Sequence, residues 1–257
     1  MNELRAIAAA FTFMTRLPLG RLASHHEIDL RRSAAYFPLV GIAVGGLGAA
    51  AYAIGHTIWP TSVSVLISMM TTVLATGAFH EDALADTLDG LGGGRTPERV
   101  LEIMKDSRVG SYALVGVLLA LAAKFAALSA IAEAGTSQVA RALIAAHVLG
   151  RWSSLPLMMR YSYVRPATTN SRPSAGGPFS EKVTIGRTLI ATAIASMAVI
   201  SSLGPVGALR AAIPATFVMI ATGMWFQRRI GGITGDTLGA ANQLVELSVY
   251  LGIIAGR

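Results

Sequence analysis

Cysteine is absent from this chain of 257 residues, which excludes disulfides, thiolate metal sites and cysteine nucleophiles and leaves any chemistry to oxygen and nitrogen donors. Charge is scarce as well. Asp, Glu, Lys and Arg make up 14% of the residues against 53% hydrophobic, too few to cover the surface of a water-soluble domain. No removable signal peptide is expected, because the stretch from Met1 to Met14 carries Glu3 and Arg5 and no small-residue cleavage site follows it. What the chain has instead is a mean hydropathy of +0.57, 27 glycines and abundant alanine. Small residues let membrane helices approach closely, so the composition predicts an all-α, polytopic membrane bundle. A net charge of +7 would suggest nucleic acid in a soluble protein. In a membrane protein the placement of Lys and Arg matters more than their total, and no nucleic-acid partner is expected.

Crossing about 30 Å of hydrocarbon takes roughly 20 apolar residues. Seven stretches are candidates, at 36–58, 61–79, 110–132, 138–159, 188–209, 211–227 and 238–255. The fourth carries Arg141, His147 and Arg151, and the sixth is short and interrupted by Pro214. Residues 3–15 are too few to span and read as a short amphipathic helix at the interface. Lys and Arg alternate along the connections. Five precede the first span, none lies at Trp59-Pro60, four follow the second span, none lies between Glu133 and Ser137, five fall between Arg160 and Arg187, and two precede the last span. The positive-inside rule then places the N-terminus, the segment after the second span, the loop at 161–182 and Gly231-Gly232 in the cytoplasm, with Arg210 alone blurring the pattern. No second domain or internal repeat is evident. Residues 1–257 therefore read as a single integral-membrane domain in the lipid bilayer, with about seven transmembrane helices, a short amphipathic N-terminal helix and a homo-oligomer left open.

Seven of the 14 acidic residues fall between Glu81 and Asp106, directly after the uncharged run at 61–79. Carboxylates crowded at the mouth of a span repel one another, and relief comes from protonation, basic neighbours or a divalent cation. Asp82, Asp86 and Asp89 recur at i, i+4 and i+7, one narrow helical face, with neighbours about 5 to 6 Å apart along the axis and the outer pair about 10 Å. One ion could bridge neighbours but not all three. Hard oxygen donors favour Mg²⁺ or Mn²⁺ over Zn²⁺, as two ions or as one ion with a second carboxylate acting as base. His80, between span and acidic helix, is a further candidate proton acceptor; the plainer reading is that it hydrogen-bonds a neighbouring carboxylate.

The glycines at 90–94, broken by Leu91, allow a sharp turn whose N–H groups suit phosphate, although flexibility explains them equally. Thr96 as N-cap and Pro97 at the first helical position start a second short helix, which bears Glu102 and Asp106 beside Arg99, Lys105 and Arg108. Mixed carboxylates and cations suit a metal-bound diphosphate; surface ion pairing accounts for them as well. Near the other end, Gly231-Gly232-Ile233-Thr234-Gly235-Asp236 sets an acid in a glycine-rich turn that opens the last span. Thr234 and Gly235 can meet phosphate there while Asp236 holds a cation or serves only as a cap. Glu246, inside the last span, is costly in lipid unless it faces the interior, with Arg141 and Arg151 as candidate partners for it or for substrate phosphate.

Three ordered motifs carry a family resemblance. They are Gly77-Ala78-Phe79-His80-Glu81-Asp82-Ala83-Leu84-Ala85-Asp86-Thr87-Leu88-Asp89-Gly90, then Leu101-Glu102-Ile103-Met104-Lys105-Asp106-Ser107-Arg108-Val109-Gly110, then Gly235-Asp236-Thr237-Leu238-Gly239-Ala240. Together with Phe13-Met14-Thr15-Arg16-Leu17-Pro18 near the start, they resemble the cobalamin synthase family, the adenosylcobinamide-GDP ribazoletransferases. Ala83 and Ala113 stand where that family more often has glycine, and the region around Tyr161 matches more loosely.

The resemblance implies the last assembly step of coenzyme B12 synthesis on the bacterial inner membrane. Adenosylcobinamide-GDP condenses with α-ribazole or its 5'-phosphate, GMP leaves, and Mg²⁺ is required. On that footing Asp82, Asp86 and Asp236 are expected to hold Mg²⁺ on the diphosphate. Asp89 would bind a second ion or deprotonate the ribazole 3'-hydroxyl, with His80 as reserve base, while Lys105 and Arg108 stabilise the departing GMP. Two rivals remain at this stage. A CDP-alcohol phosphotransferase should continue Asp-Gly-x-x-Ala-Arg, and Asp89-Gly90 lacks that Ala-Arg. A cation transporter should carry its acids near mid-membrane, where only Glu246 lies.

Overall fold

The computed structural model describes residues 3–17, 32–164 and 183–256, so Pro18 and the 165–182 part of the expected cytoplasmic loop lie outside the described residues. The elements in order are α1 (Glu3–Met14), a 3-10 turn (Ala34–Tyr36), α2 (Phe37–Gly55), α3 (Thr61–Thr76), α4 (Phe79–Gly93), α5 (Pro97–Ile103), α6 (Ser111–Ala132), α7 (Thr136–Arg160), α8 (Ile185–Ile230) and α9 (Gly235–Ala255). Among the described residues the only β contact is one parallel bridge between Tyr163 and Ile233. Large apolar side chains such as Leu114, Leu118, Leu119, Leu189, Met197, Ile213 and Phe217 point outward, as lipid-facing helices require.

Seven spans were expected; four helices are long and apolar enough to cross, or five if α3 and α4 count as one bent unit. The difference has three sources. α7 carries Arg141, His147 and Arg151, which lower its hydropathy although it is 25 residues long. α3 has only 16 residues, about 24 Å of rise. α8 merges the expected fifth and sixth spans into 46 residues, which as one rod would run about 69 Å. It is broken at Gly204, whose φ of 71° and ψ of 171° lie outside helical space, followed by Pro205. Its two limbs then face each other across an apolar cleft of about 410 Å³, with Thr192, Ala195 and Val199 on one side and Ala208 and Ala212 on the other.

Glycine sets the closest helix approaches. Any Cβ on Gly41 would overlap the backbone of His147 and Val148, and one on Gly45 that of Leu143 and Ile144, so α2 lies directly on α7. The turn between α3 and α4 matters most for the site. Gly77 (φ 68°) and Ala78 (φ 59°) are both left-handed, and Ala78 N–H donates to Val73 O (2.9 Å) while Gly77 N–H donates to Leu74 O (3.2 Å). Such paired closing bonds end a helix sharply. α4 leaves at 87° to α3, so the acidic helix lies across one end of the bundle instead of prolonging the span. α1 is fastened over the same end. Glu3 receives hydrogen bonds from Arg187 (3.1 Å) and from Tyr36 Oη (2.8 Å), which hold its carboxyl down at about 2.

Candidate active site

The acids of α4 share a face but not an environment. Asp82 is exposed and Asp86 half-buried, while Asp89 is buried. Asp89 Oδ2 accepts from Gly110 N–H (2.6 Å) and Oδ1 from Ala113 N–H (2.8 Å). It thus caps the N-terminus of α6 from a neighbouring helix and satisfies donors that the helix itself leaves open. The sequence assigned Asp89 to a second ion or to proton transfer; in the structure each of its oxygens accepts one backbone N–H at the start of α6.

Asp236 reaches α4 through two local devices. The bridge after α7 pins the turn before α9: Val164 N–H donates to Ile233 O (2.9 Å) and Ile233 N–H to Ser162 O (3.0 Å). Thr234 and Thr237 then form a reciprocal cap, with Thr237 N–H on Thr234 Oγ1 (3.1 Å) and Thr234 N–H on Thr237 Oγ1 (2.8 Å). Thr234 is buried and serves this cap, whereas Gly235, whose N–H donates to Tyr163 Oη (3.2 Å), lines the adjoining pocket. One turn further on, a Cβ at Gly239 would overlap that of Ala83. α4 and α9 therefore cross in contact there, which brings Asp82 and Asp86 beside Asp236.

The charges at that crossing interact. Burial, then the carboxylates of Asp236 and Asp82, push the Asp86 carboxyl up to about 7. Lys105, just past α5, opposes this and places its Nζ 3.6 Å from Asp236 Oδ2. Among the described residues no three His, Asp or Glu side chains are closed around a metal position. A pocket of about 260 Å³ opens beside them. Asp82, Lys105 and Asp236 line it together with Phe13, Phe37 and Phe79. His80 also lines it, 3% exposed and edge-on to Phe79 at 5.1 Å between rings.

Several expected contacts stay outside. Arg108 pairs with Asp106 (2.6 Å) and Arg99 with Glu102 (2.7 Å), all on the surface; Arg108 holds the Asp106 carboxyl at about 2. Of that group only Lys105 lines the pocket. The glycines after Asp89 are packing positions: a Cβ on Gly90 would strike Met104, and one on Gly94 Val100. Arg229 Nη2 closes the end of α4 by donating to Leu91 O (2.9 Å) and Gly94 O (2.8 Å). Arg151 is 1% exposed and partners Glu246 (3.3 Å), not the pocket. Glu246 also binds Lys124 Nζ (2.7 Å) and His147 Nδ1 (2.9 Å), and Gln243 links Lys124 (2.5 Å) to Glu81 (3.1 Å). The sequence reading missed Tyr163 and the aromatic side of the pocket. Phe13 and Phe79 lay inside quoted motifs, but nothing in one sequence told a pocket wall from ordinary packing.

Comparison with known proteins supplies independent bearings. The family model described as cobalamin-5-phosphate synthase matches residues 6–254. A protein of Shewanella amazonensis named adenosylcobinamide-GDP ribazoletransferase is 39% identical over 97% of this chain and 95% of its own length. Proteins of the same name from Leptothrix cholodnii and Ralstonia pickettii are 38% and 37% identical, over 100% and 99% of this chain and 97% and 98% of theirs. No solved structure matches.

Proposed function

The chain belongs to the cobalamin-5-phosphate synthase family, and we propose on that premise how its pocket works. It is a multi-pass membrane transferase, an adenosylcobinamide-GDP ribazoletransferase, that joins adenosylcobinamide-GDP to α-ribazole or its 5'-phosphate and releases GMP. The ribazole 3'-oxygen forms a bond to the phosphorus carrying cobinamide. The bridging phosphorus–oxygen bond breaks, its electron pair leaves with GMP, and the hydroxyl proton passes to a base. With Asp89 held as a cap, His80 is the acceptor that lines the pocket.

Asp82, Asp86 and Asp236 are the donors we assign to Mg²⁺. They offer hard oxygens, and the Asp86 carboxyl is raised first by burial and then by repulsion from Asp236 and Asp82, a repulsion that a divalent cation relieves. That the three are not closed around a metal position agrees with Mg²⁺ chemistry, which uses one or two carboxylates together with substrate phosphate oxygens. Once bound, the ion would neutralise diphosphate charge as it grows on the departing phosphate. Lys105 is placed to leave Asp236 and stabilise GMP, whereas Arg108 is committed to Asp106. We place the site on the cytoplasmic side of a bacterial inner membrane, following the distribution of Lys and Arg.

The observation that carries this reading is the meeting of Asp82 and Asp236 in the lining of one pocket, with Asp86 close enough for both to act on its carboxyl. GMP release from adenosylcobinamide-GDP, measured with and without α-ribazole, tests it; turnover must need both substrates and Mg²⁺. Asp86→Asn should abolish turnover while the protein stays folded in detergent. Near wild-type activity in that variant would remove Asp86 from the reaction.

A further inference from the structure

Resting on that reaction, we propose that the aromatic side of the pocket seats the flat base of the acceptor nucleoside, with Phe13, Phe79 and Met158 setting its specificity. The cavity of about 260 Å³ is lined by a group of aromatic side chains and a group of charged ones. Phe13 and Phe37 stack with centroids 6.0 Å apart and planes at 14°, and Phe79 meets Phe13 edge-on at 5.3 Å. Met158 of α7 completes that wall. Asp82, Lys105 and Asp236 line the same cavity.

Three bulky groups take part in the reaction, and the pocket discriminates among them. The corrin macrocycle with its fringe of amides exceeds a cavity of this volume and belongs outside its mouth. Guanine carries donors and acceptors around its edge, and a wall of Phe and Met leaves such groups without partners. The methylated benzimidazole of α-ribazole is flat and largely apolar. It gains from both aromatic contact and the polarisable methionine sulfur. A ribose attached to a base held there stays within the same cavity as Asp82 and Asp236, which brings its hydroxyl to the proposed metal donors. One pocket thus binds the acceptor and aims its nucleophile.

The test uses full-length protein in detergent. Binding of α-ribazole to metal-free protein is followed by the fluorescence of its own base, and KM is measured separately for each substrate. Phe79→Ala should weaken α-ribazole binding and raise its KM roughly tenfold, with the KM for adenosylcobinamide-GDP little changed. Phe13→Leu and Met158→Ala, milder changes, serve if Phe79→Ala fails to fold, and should shift the same constant by a few fold. Ribazole analogues with a purine base should bind wild type more weakly, and the variants should discriminate less between the two bases. A rise confined to the KM for adenosylcobinamide-GDP, with α-ribazole binding intact, overturns the base assignment while leaving the reaction standing. Absence of any GMP release from wild type with both substrates brings down the reaction itself, whatever the binding data say.

Discussion

Two aspartates three residues apart on one helical face have different surroundings, and on the proposed reading their substitutions should separate in kind. Asp86→Asn should lose turnover without any loss of stability. Asp89→Asn, which cannot accept from both Gly110 and Ala113, should lose about 1 to 3 kcal/mol of stability and retain turnover, as thermal melts and GMP release will report. The pH dependence of Asp86 follows from its displaced carboxyl. Between the ordinary 3.8 and about 7 the folded protein binds this proton more tightly than the unfolded chain, so its contribution to stability falls as pH rises through that window. Metal-free Asp86→Asn should therefore melt above metal-free wild type at pH 8, by on the order of 1 kcal/mol after solvent screening, with the gap closing toward pH 4. In wild type the same proton competes with Mg²⁺, so the Mg²⁺ requirement should rise as pH drops below about 7. At this scale the sequence was partly legible. Residue type and spacing put Asp82, Asp86 and Asp89 on one face but did not show the hold of α6 on Asp89, because its partners are backbone N–H groups that no side-chain pattern records.

At the scale of elements, periodicity located every helix that carries the site, and glycine decided how the helices end and meet. Gly204 is the clearest case. Its φ of 71° with ψ of 171° is open essentially to glycine alone, so Gly204→Ala should cost about 1 to 3 kcal/mol, read as a lower denaturation midpoint with Mg²⁺ binding preserved. The expected spans at 188–209 and 211–227 placed the break at 210; it lies at Gly204-Pro205. Hydropathy sees only that two crossings are needed, while the turn is fixed by backbone conformation. The same limit hid the aromatic wall, since Phe13, Phe37 and Phe79 come from three elements whose meeting depends on the sharp end of α3 and on the fastening of α1 by Glu3 and Arg187.

For the whole molecule, the missing cysteines make orientation in the membrane measurable. Arg95→Cys and Ala134→Cys each introduce a single thiol into a background that has none. In intact cells an impermeant maleimide should label position 134 and reach 95 only after the membrane is opened; the reverse result would put the pocket outside. The touching crossing of α4 and α9 has a mechanical consequence for a molecule so oriented. Asp236 stands one helical turn, about 5 Å, from the fulcrum at Gly239 and Ala83, whereas the far end of α9 is about 24 Å away. A tilt of about 10°, of the size that bilayers of different thickness impose, would swing the distant end by about 4 Å and the carboxylate by less than about 1 Å. The short lever arm insulates the spacing of the acids from the bilayer, so turnover should vary little among lipids of different chain length.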